Sequence, residues 1–258
     1  MTDTEDSGTR QLKSVNRAFQ IISYLHNNGG ATLSEVAEAL DLPASTAHIH
    51  LSTLVESSYV VREGDIYKTS FQFLRIGGEM QDGMALYQAA RPELDELREM
   101  TGEHTNVTVE QNGYAVQLYK SESPESIDDE APLGEHLFLH STATGKAILA
   151  ELPEERVNQI IEQRGLPPQT DDTITDEQTL RDELDTIRER GYSINRGEHF
   201  PGVCAIATVI VSEPDDAIGG ISISGPRSRL DNERIEDELV PKLLNKKNII
   251  ELKMHQYE

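Results

Sequence analysis

The stretch Ser141-Thr142-Ala143-Thr144-Gly145-Lys146-Ala147 holds several of the groups a phosphate-binding loop needs. It lacks the first glycine of the G-x-x-x-x-G-K-[ST] pattern, and Ala147 stands where a hydroxyl must reach magnesium, so nucleotide chemistry is not expected. What it does offer is the start of a helix, with free N–H groups near Ala143, Thr144 and Gly145 that suit a carboxylate. A plainly capped helix is the other reading. Cys204 has no evident His and Asp arrangement to make it a nucleophile. His199, Cys204, His136 and His140 leave a zinc site open, but no paired-cysteine spacing supports one. His48 and His50 lie two apart, so on a helix they point in different directions and make a poor ligand pair. No cofactor and no metal is expected, and the chain does not read as an enzyme.

A second set of polar groups lies in "DLPASTAHIHLSTLVESSYV", residues 41–60. Ser45, Thr46 and His48 sit at the start of a helix whose N-terminal end could enter a DNA groove. Ser45 and Thr46 either cap that helix or, for Thr46 above all, touch a base or phosphate. His48 can donate to purine N7 or O6 acceptors. Ile49 either meets a thymine methyl or is an ordinary surface residue. Ala47, Leu51 and Leu54 are core. Lys68, in the hairpin that follows, is the expected phosphate contact.

The surrounding elements support this. In "SVNRAFQIISYLHNNGG", Val15, Ala18, Phe19, Ile22 and Leu25 fall at helical spacing, with Ser14 placed to cap and Gly29-Gly30 to stop the helix. "TLSEVAEAL" is a short helix capped by Thr32 or Ser34, and Pro43 suits the first turn of the next one. Two β-rich runs, 59–62 and 66–69, flank Glu63-Gly64-Asp65 and form a hairpin. The order of helix, helix, recognition helix and hairpin predicts a winged helix-turn-helix over residues 11–70. Residues 1–10 read as a disordered tail and 71–90 as a helical linker. Pro92 is expected to open a helix.

From residue 103 the period changes to two. Strands flank Asn112-Gly113, "SPESIDDEAP" is an acidic loop, and a short strand and two helices follow. A helix with a Thr175–Gln178 capping box ends at Gly191. Three strands and a final helix, about 231–254, complete an α+β domain on an antiparallel sheet, 91–258.

Charge divides the chain the same way. The net charge is −23, with 15 Arg and only 8 Lys. Residues 10–75 carry six basic and six acidic groups, whereas residues 76–258 carry 37 acidic and 17 basic ones. Such an acidic, lysine-poor chain fits a salt-loaded cytoplasm, where screening makes self-repulsion tolerable; an ordinary acidic protein is the plainer alternative. A single cysteine, a polar start and no long apolar run predict a cytoplasmic protein with no membrane partner.

Four blocks carry a family resemblance: "LDLPASTAHIHLSTL", "HSTATGKAILAELP", "LRDELDTIRERGYSINRGEHFPGVCAIATVIV" and "GGISISGPRSRL". The sequence resembles the IclR family of bacterial and archaeal transcriptional regulators over nearly its whole length. The resemblance implies a winged helix-turn-helix, a linker helix and a GAF-like effector domain that binds a small molecule, assembled as a homodimer or a dimer of dimers (a homotetramer). It further implies an effector pocket at Ala143, Thr144, Asn195, Val203, Ala205, Ser222 and Ser224. Because one helix reads only a few base pairs, a two-fold dimer is expected on a palindromic double-stranded operator. The helix start near Gly145, the hydroxyls of Ser222 and Ser224 and the small apolar wall of Val203 and Ala205 make a small organic acid the expected ligand. The chain departs from the family at Ala44, where a basic residue is common, and at Ile49-His50, where Arg then Leu is usual. A reading from another class is a GAF-like enzyme or binding protein for a small acid, whose N-terminal domain serves only association.

Overall fold

A computed structural model describes residues 12–122, 132–212 and 216–254. The N-terminal tail 1–10 and the acidic stretch 123–131 lie outside them. The chain divides into two compact units, Met1–Met80 and Gln81–Glu258.

In the first unit, α1 (Lys13–Asn27) leads through the short strand β1 (Ala31–Thr32) to α2 (Leu33–Ala39) and α3 (Ala44–Glu56). A hairpin of β2 (Val60–Glu63) and β3 (Ile66–Thr69) follows, then α4 (Gln72–Asp82). β1 was not anticipated; it pairs with β3 and makes a three-stranded sheet in the order β1-β3-β2. Gly30, at φ +121°, is required there, because a Cβ would lie 2.8 Å from the Lys68 Cγ. Ile21, Leu25, Val36, Leu51, Leu54, Val60 and Tyr67 form the core. Two details of α1 differ from expectation. Its N-cap is Leu12, not Ser14. Its buried stripe runs through Ile21 and Leu25, which leaves Val15 and Phe19 exposed. α2 is capped by Thr32 in a reciprocal box with Glu35.

The second unit opens with α5 (Ala85–Thr101). Pro92 lies inside this helix rather than at its start. Pro92 costs the helix about 3 kcal/mol, but Ala89 and Ala90 before it and Leu94 and Leu97 after it are all fully buried, and that packing carries the helix through. β4 (His104–Gln111) and β5 (Tyr114–Ser121) form the hairpin on Asn112-Gly113, both at positive φ. Then come β6 (His136–Phe138), α6 (Ala143–Glu151), α7 (Glu154–Arg164) and α8 (Glu177–Arg190). The cap of α8 is Asp176, which accepts from the Thr179 N–H, not the Thr175 box. β7 (Ser193–Arg196), β8 (Val203–Ser212) and β9 (Asp216–Pro226) precede α9 (Asn232–Arg234), a π-helical turn and α10 (Val240–Met254).

The sheet is antiparallel throughout, in the order β6-β5-β4-β9-β8-β7. Alternation sorts its faces. Cys204, Ile206, Ile210, Ile221 and Ile223 pack on one side with Leu94 and Leu97 of α5 and Leu243 and Ile250 of α10. On the other side α6 sets Ala143 and Ala147 against Ala207 and Val209. α6 lies close to the sheet because Gly220 faces it, where a Cβ would lie 3.2 Å from the Thr144 carbonyl; Gly145 of α6 lets the preceding turn pack on the helix, since a Cβ there would collide with the Leu139 carbonyl. The outer side of α6 packs Ile148 and Leu149 against Val157, Leu180 and Leu184 of α7 and α8.

Candidate functional site

The sheet face beneath α6 is unusually polar. Cross-strand register places Asn106 opposite Ser222, Ser224 opposite Ala205, Ala205 opposite Asn195, and Thr108 opposite Gln117. Between these residues and the start of α6 lies a pocket of about 60 Å³. Ala143, Thr144, Asn195, Val203, Ala205, Ser222 and Ser224 all line it. The sequence reading missed Asn106, Thr108, Gln117, Leu137, Thr142, His199 and Phe200, which complete the wall. The available signal was the polar pair Asn106 and Thr108 at alternate positions of β4, which share a sheet face.

Each side chain has a definite place. Thr142 caps α6, its Oγ1 accepting from the Gly145 N–H at 3.0 Å. The first N–H groups of a helix have no acceptor within it, and Ala143 and Thr144 of that first turn line the pocket. Ser222 and Ser224 are 2% and 5% exposed, and the Ser224 Oγ is buried with no hydrogen-bond partner among the described residues. Such a hydroxyl costs roughly 1–3 kcal/mol to leave unpaired. None of the lining residues is an Asp, Glu, Lys or Arg.

Asn195 lines the pocket, but its amide is committed elsewhere. Its Nδ2 donates to the Ser141 carbonyl at 2.5 Å, and its Oδ1 accepts from the N–H groups of Gly197 and Glu198, both at 3.1 Å. It is a strut that pins the β7–β8 turn to the residues before α6. That turn carries His199 and Phe200, whose rings are 4.3 Å apart. A buried ion pair braces the same turn. Lys146 of α6, 1% exposed, places its Nζ 2.7 Å from Glu198 Oε2 and 2.8 Å from the Ile194 carbonyl. Burial pushes the Glu198 carboxyl above the usual carboxylate range, and the Lys146 ammonium opposes that. Cys204 faces the core on the opposite side of the sheet, with its thiol raised by burial. His140 is buried, with Nε2 3.1 Å from the Pro167 carbonyl, and desolvation lowers its pKa. Among the described residues no group of three His, Cys, Asp or Glu could hold a metal ion.

The first unit presents a separate surface. Ser45, His48 and Ile49 are exposed on α3, and Thr46 is half-buried. Lys68 is ion-paired: its Nζ lies 2.6 Å from Glu63, while Arg62 donates to the Gly64 carbonyl and lies 3.4 Å from Asp65. The wing is therefore locally neutralised.

These two surfaces match one family. Residues 14–64 fit the model for the IclR helix-turn-helix domain, and residues 79–250 fit the model described as bacterial transcriptional regulator IclR C-terminal. The chain belongs to the IclR family. Similar relatives include the probable HTH-type transcriptional regulator ArcR of Halobacterium salinarum, 31% identical over 95% of both chains. The HTH-type transcriptional repressor AllR of Escherichia coli is 32% identical over 92% of this chain and 89% of its own. The IclR crystal structure from Thermotoga maritima superposes with a TM-score of 0.83 at 28% identity, covering 95% of this chain and 99% of that one. The IclR assignment makes the chain a helix-turn-helix transcriptional regulator, and the relatives named are regulators rather than enzymes. Among the described residues no helix is long and apolar enough to cross a membrane.

Proposed function

We propose that this IclR-family regulator binds a palindromic operator as a cytoplasmic homodimer or dimer of dimers and answers to a small organic acid held under α6. Ser45, Thr46, His48 and Ile49 of α3 and Lys68 of the wing meet the DNA. Residues 11–70 form the reading domain, 71–90 the linker and 91–258 the effector domain. The observation that carries the ligand reading is the buried, unpartnered Ser224 hydroxyl beside the first turn of α6. The hydroxyls of Ser222 and Ser224 and the N-terminal end of α6 line the same pocket, and donors of these kinds suit a carboxylate. The small apolar wall of Ala143, Val203 and Ala205 suits the ligand's body. Among the described lining residues no carboxylate opposes the anion, and the chain's net charge acts from a distance and is screened by salt.

The test is calorimetry in high-KCl buffer with carboxylates that are substrates or products of enzymes encoded beside the gene, each paired with its neutral amide. A carboxylate that binds where its amide does not supports the reading. Equal binding of acid and amide, or binding of cations, overturns it. Gel-shift assays with DNA from upstream of the chain's own gene test the operator half. An intact chain that retains no duplex above non-specific affinity overturns that half.

A further inference from the structure

We propose that Ile49 reads thymine methyl groups in the major groove and that α3 makes no Lys or Arg contact to guanine; this rests on the operator-binding reading above. Residues 45, 48, 49 and 52 fall at i, i+3, i+4 and i+7, so Ser45, His48, Ile49 and Ser52 form one exposed stripe. Ala47, Leu51 and Leu54 face the core. α3 contains no Lys or Arg between Ala44 and Glu56. The commonest specific contact to a base, a bidentate Arg or Lys on guanine O6 and N7, therefore has no source on this helix. The wing cations Arg62 and Lys68 are held by Asp65 and Glu63. The Thr53 hydroxyl is committed to its own helix, donating to the Ile49 carbonyl at 2.8 Å.

What remains on the stripe is a branched apolar side chain between short polar ones. Ile49 is 65% exposed, while Leu51 and Leu54 are buried and Val55 is half-buried. In water that side chain contributes nothing to the core. The apolar group that a base pair offers in the major groove is the thymine C5-methyl. His48 and Ser52 flank Ile49 and can bond neighbouring base edges. Glu56, exposed at the C-terminal end of the stripe, would repel phosphate, so the first two turns of α3 are the part that enters the groove.

The full-length chain is first used to select duplexes from a random-sequence library in KCl buffer. Each thymine of the selected duplex is then replaced in turn by uracil, which removes only the methyl group. One or two positions per half-site should weaken wild-type binding about three- to fourfold, the worth of one buried methylene-sized group. Ile49→Ala should bind the parent duplex more weakly and be indifferent to those same replacements. Its melting temperature should match the wild type, because the residue is exposed. Uracil without effect at every position, or the same losses in wild type and Ile49→Ala, overturns the inference and leaves the operator reading standing. Failure to enrich any sequence overturns both.

Discussion

Ser224 and Asn195 line the same pocket and do different work there. The Ser224 hydroxyl has no partner among the described residues, so a ligand is its natural acceptor or donor. Ser224→Ala should lower affinity for the carboxylate effector about tenfold or more, the usual worth of a hydrogen bond to a charged group. Calorimetry of wild type and variant checks this, and operator affinity without ligand should not move. Unchanged effector affinity would remove Ser224 from the site. Asn195→Ala should instead lower the melting temperature, because it frees the β7–β8 turn from three hydrogen bonds. The Lys68–Glu63 pair is exposed and worth little to stability. Glu63→Gln should release Lys68 to a phosphate. Operator affinity should then rise at low salt, with the slope of log affinity against log salt steeper by about one. An unchanged slope in both Glu63→Gln and Lys68→Ala would mean that Lys68 meets no phosphate.

At the scale of elements, α5 and α10 are joined by charge as well as by packing. Glu93, 6% exposed on α5, lies 2.6 Å from Lys246 of α10, and Lys253 also reaches it. Burial works to raise the Glu93 carboxyl, but hydrogen bonds and charge from Lys246 and Lys253 outweigh it and hold the pKa below the usual carboxylate range. A carboxyl whose folded pKa lies below its unfolded one stabilises the fold above the unfolded value. That contribution is lost as pH falls through the folded value. Glu93→Gln should therefore cost about 1–3 kcal/mol at pH 7. The gap to wild type should shrink as the medium is acidified below the ordinary carboxylate range. Denaturant titrations at a series of pH values measure it, and a gap independent of pH would show that the ion pair is not its source.

At the scale of the whole molecule, exposed apolar groups and charge set the expectations. Phe71 and Leu74, 88% and 72% exposed, and Phe19 at 61%, are large apolar surfaces left open in the first unit. A second copy of the chain is the partner that a two-fold operator requires. Leu74→Glu, or Phe19→Glu, should shift the mass seen by light scattering in high salt toward the monomer and weaken operator binding. A wild-type monomer at micromolar concentration would refute the dimer. With a net charge of −23, self-repulsion should ease as salt rises. The melting temperature should accordingly climb between low and molar KCl, and a flat salt series would favour the plainer view of the composition.

Elements and sheet faces were legible in the sequence because they depend on local periodicity. Alternation along residues 203–210 and 220–224 is enough to put Val203, Ala205, Ser222 and Ser224 on one face and Cys204 on the other. The Asn112-Gly113 turn and the Gly191 stop needed only their own backbone preferences. The family's motifs added the idea that these residues and the start of α6 share a pocket. Tertiary structure decided what periodicity does not encode. Asn106 and Gln117 join the pocket through strand order, which sets β4 beside β9, far along the chain, with β5 next beyond β4. Pro92 sits mid-helix because buried leucines and alanines on both sides outweigh its local penalty. Val15 and Phe19 share a helical face with core residues, yet stay exposed because the rotation of α1 turns Ile21 and Leu25 inward. Asn195 and Lys68 have the right chemistry for contact, but whether a polar group is free depends on which neighbours reach it first, and only the folded arrangement sets those distances.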